Sequence, residues 1–229
     1  MPVDVVTMSC RDLTTREINQ MLAELPDGSE VVITDPRGTH NLAVGIDGDL
    51  NITIDGNAGY FIGGLCDGPD IVVNGFVGWS VGENLMQGTV RVHGNASECA
   101  AASSHGGAVI IEGDASSRAA ISLKGGTLLV AGDVGHMCGF MAQAGTILVG
   151  GDAEEALGDS LYEAVIYVAG AVKSLGSDAR IEDLTAADVE TVRALCEEAG
   201  FDHIEPENVT RVASAKELYN FDALSGRNY

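Results

Sequence analysis

Ile52-Thr-Ile-Asp-Gly56, Ile71-Val-Val-Asn-Gly75, Val90-Arg-Val-His-Gly94, Val109-Ile-Ile-Glu-Gly113, Leu128-Leu-Val-Ala-Gly132, Ile147-Leu-Val-Gly-Gly151 and Ile166-Tyr-Val-Ala-Gly170 follow one another every 19 residues without an insertion. A fixed period near 20 residues marks a solenoid, whose units bury their apolar faces only against their neighbours. Within each phrase the apolar residues at i and i+2 point to one side of a strand, and the closing glycine permits a bend at positive φ. The pattern predicts an all-β fold, a single-stranded β-helix of about seven coils of 19 residues with small helical N- and C-terminal appendages. At an inter-strand spacing of ~4.8 Å, seven coils make a prism roughly 34 Å long.

Two further columns keep this register. Asn57, Asn95, Asp114, Asp133 and Asp152 follow the lattice glycine and read as turn formers stacked in a ladder rather than as calcium ligands; Gly88, Gly107, Gly126 and Gly145 mark a second corner. Upstream, Val31-Val-Ile-Thr-Asp-Pro-Arg-Gly38 reads as a degenerate first coil with Arg37 at the glycine position. The expected organisation is a strand and helix cap over 1–30, the β-helix over 31–180, and a C-terminal helix and docking tail over 181–229. The cap contains a strand at Val3 to Thr7 and a helix from about Thr15 to Leu25, placed to close the open end of the coil stack.

The residues between the inward pair face outward, and their column runs Thr53, Val72, Arg91, Ile110, Leu129, Leu148, Tyr167. It turns apolar from the fourth coil, so something covers it. Thr185-Ala-Ala-Asp188 reads as a capping box opening a helix that Gly200 ends, with Val189, Val192, Leu195, Cys196 and Ala199 as its apolar stripe. Either this helix or a partner chain occupies the outer docking face Ile110, Leu129, Leu148 and Tyr167. In the tail, Tyr219, Phe221 and Tyr229 are expected to grip the solenoid or a neighbouring chain.

Twelve basic against 34 acidic residues give a net charge of −22, which repels nucleic acid and anionic membranes. Five cysteines without a C-x-x-C pair argue against a disulfide framework or a zinc or iron–sulfur site. With no basic leader and no long apolar run, the chain reads as cytoplasmic. It carries no nucleophile elbow, phosphate loop, Rossmann fingerprint or metal motif. Polar phrases that break the lattice supply Arg37, His40, Glu83, Asn84, His105, His136 and Gln143 as candidates for lining a channel or contacting partners. The histidines lack an accompanying acid or nucleophile pattern and read as hydrogen-bonding groups.

The repeated I-x-V-x-G-N-A-G wording resembles the GXGXG domain at the C-terminus of the glutamate synthase large subunit, a right-handed β-helix, and also the corresponding scaffold-like subunit of formylmethanofuran dehydrogenase. Asn41-Leu-Ala-Val-Gly45, His105-Gly-Gly107, Gly135-His-Met137, Phe140-Met-Ala-Gln-Ala-Gly145, Gly158-Asp-Ser-Leu-Tyr-Glu-Ala164 and Ser174-Leu-Gly-Ser-Asp178 are most similar to the stand-alone form of that domain. That form is the small subunit of glutamate-synthase-like complexes, notably N-methylglutamate synthase (methylamine-glutamate N-methyltransferase). The resemblance implies no catalytic residues and no cofactor on this chain. It implies a glutaminase-like (class II amidotransferase) partner and a partner carrying FMN and an iron–sulfur cluster, which the β-helix subunit joins while helping to enclose the path of ammonia or methylamine. A stand-alone carbohydrate-active β-helix is the alternative of a different class, against which the apolar outer column argues.

Overall fold

The computed structural model describes residues 5–218. β1 (Val6–Ser9), α1 (Thr15–Ala23), β2 (Glu30–Thr34), β3 (Asn51–Asp55), β4 (Asp67–Val73), β5 (Gln87–Val92), β6 (Ala108–Ile111), β7 (Lys124–Val130), β8 (Ala144–Val149), β9 (Val165–Val168), β10 (Ala179–Glu182), α2 (Ala186–Ala199) and β11 (Thr210–Ser214) follow in chain order. β1 to β9 pair in sequence order and in parallel, one strand per coil, and each lattice phrase sits beside the next: Ile52 on Ile71, Ile71 on Val90, Leu128 on Ile147. This is the β-helix expected from the period, with small helical parts.

Both ends of the sheet extend past the expected limits of 31 and 180. β1 adds a parallel strand before β2, shifted from the expected Val3–Thr7, whose first two residues lie outside the described chain. At the other end β11 pairs antiparallel with β9, and β10 pairs antiparallel with β11. The tail after Phe201, expected only as a docking tail, therefore supplies a strand that closes the exposed edge of the last coil, which an edge strand requires if it is not to template other chains. The Tyr219, Phe221 and Tyr229 expectation lies outside the described residues.

The first coil is longer than the rest. Val31 pairs with Ile52 and Thr34 with Asp55, so the residue abreast of Gly56 is Asp35, not Arg37. Asp35 adopts φ 54 there and pairs with Arg11 at 2.7 Å and Arg37 at 3.6 Å.

The core runs along the inside of the coils. Ile52, Ile54, Ile71, Val90, Leu128 and Ile147 are at most 1% exposed, and each buried aliphatic side chain of this kind contributes about 1.5–3 kcal/mol. At the N-terminal end α1 forms because Thr14 and Glu17 complete a capping box and Ile18 and Leu22 share a face that is fully buried on the stack. Asn19 on this helix donates to Asn41 O at 2.8 Å and accepts from Val44 N–H at 3.4 Å, satisfying backbone groups of the first coil that have no preceding coil.

The lattice glycines carry a different constraint from the one expected. Of the seven, only Gly56 has positive φ. The others lie where a side chain would strike the preceding coil: a Cβ on Gly113 would sit 2.0 Å from Asn95 Oδ1, one on Gly132 2.2 Å from Asp114 Oδ1, and one on Gly75 2.4 Å from Asn57 Oδ1. Gly151 and Gly170 are equally close to the coil before them, and a Cβ on Gly94 would lie 2.9 Å from Gly75 C and O. The same oxygens form the expected ladder, for Asp114, Asp133, Asp152 and Ala171 each donate a backbone N–H to the preceding Asx Oδ1 at 3.0, 2.9, 2.7 and 2.7 Å. Asp133→Ala removes one rung and should cost about 1–2 kcal/mol in urea unfolding, whereas Asp133→Asn, which keeps the acceptor, should cost less than half as much.

A second feature was not expected. In seven successive coils three alternate residues take left-handed backbone, for example Ser80, Gly82 and Asn84 (φ 61, 65 and 53) and Cys99, Ala101 and Ser103 (φ 61, 56 and 54). Their N–H groups point alternately to the next and the previous coil: Ser80 N to Glu98 O (2.9 Å), Gly82 N to Ile62 O (2.8 Å), Asn84 N to Ala102 O (2.9 Å). Each non-glycine residue in that region costs about 1–2 kcal/mol, and the completed inter-coil hydrogen bonds offset it.

Candidate functional site

The outer face of β6 to β9 is occupied by the chain itself. Ile110, Leu129, Leu148 and Tyr167 are 0–3% exposed and form a second core with Val192, Leu195, Cys196 and Ala199 of α2 and with Phe201, Ile204 and Val209 after it. The helix starts on the Thr185–Asp188 capping box and ends on Gly200 at φ 77, as its sequence signals predict. Arg91, where the outward column is still polar, fixes the far end. Its guanidinium donates to Ala199 O at 2.9 Å, Glu198 O at 3.2 Å and Glu112 Oε1 at 3.0 Å, satisfying carbonyls at the C-terminus of α2. At the N-terminus the Tyr167 hydroxyl and Arg211 Nε both donate to Asp188 Oδ1, at 2.5 and 3.0 Å. Burial opposes ionisation of Asp188, but the donors from Thr185, Tyr167 and Arg211 outweigh it and hold the carboxyl well below the usual carboxylate range. Burial, reinforced by that carboxylate, pushes the Tyr167 hydroxyl up to about 12, so it stays a donor.

The seven polar candidates do not converge. His40 and His136 stand in one outward column with Tyr60, Trp79, Glu98, Ser117 and Glu155, but five coils separate them, roughly 24 Å. His105 and Gln143 share another column two coils apart, with Lys124 between, and both are exposed. Glu83 and Asn84 lie on the left-handed face, half-buried, and Arg37 is a surface partner of Asp35. Burial raises the thiol pKa of all five cysteines, Cys66 to about 11 and Cys138 to about 12, so none is an activated nucleophile. Among the described residues no three His, Cys, Asp or Glu side chains stand together as a metal-binding group, and no helix is long and apolar enough to cross a membrane.

Arg37 lines a small polar groove of about 400 Å³ with Asp35 and Asp55, and His40 belongs to a larger, aromatic one. The His40 ring stacks on Tyr60 with centroids 3.7 Å apart and planes at 19°, and its Nδ1 accepts the Tyr60 backbone N–H at 3.1 Å, which places the ring proton on Nε2. Beside this pair an open groove of about 750 Å³ is walled by His40, Tyr60, Phe76 and Trp79 and floored by Gly59 and Gly78. Phe76 also walls a second groove, of about 700 Å³, over Gly75 and Gly94. The floor admits no side chain: a Cβ on Gly59 would lie 1.9 Å from His40 Nδ1, and one on Gly78 2.7 Å from the Gly59 backbone. Tyr60, Phe76 and Trp79 are 46, 54 and 60% exposed, although a large ring is ordinarily covered. The sequence held a signal for this patch, since Tyr60 and the single tryptophan Trp79 are one period apart in an outward column, and Phe76 replaces the Asn or Asp found there in five other coils.

The chain is 46% identical over 217 residues to Protein GlxC of Rhizobium meliloti (strain 1021), an alignment covering 92% of this chain and 95% of the relative. No family model and no solved structure matches it. Identity of that extent over nearly the whole of both sequences settles kinship: the chain belongs to the GlxC family.

Proposed function

We propose that this protein is a non-catalytic scaffold subunit of a glutamate-synthase-like complex. In the form the GXGXG phrases most resemble, the complex converts methylamine and glutamate to N-methylglutamate and ammonia. The chain would join a glutaminase-like subunit to one that carries FMN and an iron–sulfur cluster, and help enclose the path of ammonia or methylamine between them. The observation that carries the reading is the dispersal of the polar candidates over separate columns of a stiff coil stack. General acid–base or nucleophilic chemistry needs groups within hydrogen-bond reach of one another, and although Arg37 and His40, and Glu83 and Asn84, share a coil, no side-chain hydrogen bond joins any two of the seven among the described residues. Stiffness suits a spacer, because a passage between two active sites leaks if its wall moves.

The test is reconstitution. The chain, the glutaminase-like chain and the flavin-binding chain, purified separately, should form a complex on size exclusion and produce N-methylglutamate from methylamine and glutamate. Leaving this chain out should reduce turnover at least ~10-fold. Full turnover by the other two alone would sink the reading.

A further inference from the structure

The surroundings of the aromatic groove specify the chemistry of what it would hold. Exposed rings at Tyr60, Phe76 and Trp79 form a contiguous apolar surface on the first coils, away from the face that α2 covers. Two acidic residues neighbour its lining. Ser80, which lines the groove, donates its N–H to Glu98 O at 2.9 Å and accepts at its own carbonyl from Glu83 N–H at 3.3 Å, and Glu98 follows Trp79 in the outward column. Neither carboxylate has an ion-pair partner among the described residues. Both act through space on the Cys99 thiol, whose pKa is raised first by burial and then by Glu98, with Glu83 adding to it against the opposing charge of Arg118. Tyr60, Trp79 and Glu98 follow one another in a single column at a rise of ~4.8 Å per coil, so a long side chain lying along that column crosses two exposed rings and then an acidic residue.

We propose that this groove is a docking site for a partner polypeptide presenting arginine or lysine side chains: the stems and charged heads lie on Tyr60 and Trp79, and the charge is met by Glu98 and Glu83. Cations stack on exposed indole and phenol faces with attraction of about 0.5–2 kcal/mol, and tryptophan and tyrosine are the residues most enriched among binding hot spots. The net charge of −22 steers a basic protein surface toward this chain and repels nucleic acid. The inference rests on the reading of the chain as a subunit, and it names the surface and the partner's chemistry.

The single tryptophan makes the test specific. With 5-fluorotryptophan incorporated in this chain alone, one fluorine resonance reports Trp79. The separately purified glutaminase-like and flavin-binding chains are the probes. The proposal expects one of them to bind, to shift that resonance, and to bind Trp79→Ala at least ~30-fold more weakly. Glu83→Gln with Glu98→Gln should weaken binding ~3- to 10-fold and flatten its salt dependence, while Met141→Ala, elsewhere on the surface, should leave it unchanged. Trp79→Gln is the second variant should the alanine form fold poorly. If the wild type binds but neither Trp79 variant nor the resonance responds, the groove is not the docking site although the scaffold reading stands. If the wild type binds neither chain, both fall. A resonance in the isolated chain that moves with protein concentration, or on deletion of residues 219–229, would assign the groove to a second copy or to this chain's own terminus and overturn the proposal.

Discussion

Gly126→Ala is expected to lower the unfolding free energy by about 3–5 kcal/mol, measured by urea denaturation, while Gly45→Ala lowers it by only about 1 kcal/mol. Both glycines have positive φ, +69 and +65, so both substitutions carry the same left-handed penalty. They differ in space. A Cβ on Gly45 meets nothing within 4 Å, whereas one on Gly126 would lie 2.5 Å from Gly107 O and 2.6 Å from Gly106 C. Those atoms are backbone of the previous coil and cannot rotate aside, so the coils must separate at that seam. In a solenoid each coil is held only by its neighbours, and a weakened seam also divides the cooperative unit, so the denaturant slope should fall together with the midpoint. Equal losses at the two positions would mean that the corner glycines are selected by φ alone.

That contrast also explains what the sequence made legible. A strict period is a direct record of coil stacking, so the β-helix, its register from Ile52 to Ile166, the Asx ladder and α2 with its cap could all be read from residue spacing. The reason for the lattice glycines could not, because a bend and a close approach leave the same letter in the sequence. The left-handed rows were illegible for the opposite reason: their positions hold Phe61, Cys99, Arg118 and Met137, residues with no preference for that backbone, and the inter-coil hydrogen bonds impose it. β11 escaped notice because a single strand pairing antiparallel across a chain end has no repeat to announce it. For the site, outward polar residues were singled out by type, yet the surface that the fold assembles is aromatic. Only His40 belongs to both.

The second large effect concerns the node that seats α2. Asp188→Asn is expected to cost about 3 kcal/mol near pH 7, and the cost should shrink as the pH falls through the carboxylate range. One carboxylate accepts from four donors: Thr185 N–H and hydroxyl on Oδ2 at 2.9 and 2.5 Å, and Tyr167 Oη and Arg211 Nε on Oδ1 at 2.5 and 3.0 Å. An amide offers one acceptor oxygen and turns an NH2 toward the remaining donors, leaving at least one of them unsatisfied and the Arg211 charge opposed only by Glu182. Because the folded carboxyl is held below its unfolded value, its contribution is fully present above about pH 4 and is lost as the pH drops toward the folded pKa. Wild type and variant should therefore differ most in guanidinium unfolding near pH 7, and the gap should begin to narrow as the pH falls below about 4; a gap independent of pH would show that the carboxylate acts through shape alone. The same substitution loosens the cover over Leu129, Leu148 and Tyr167, so any partner newly gained by Asp188→Asn would be meeting a face that the native chain keeps for its own helix.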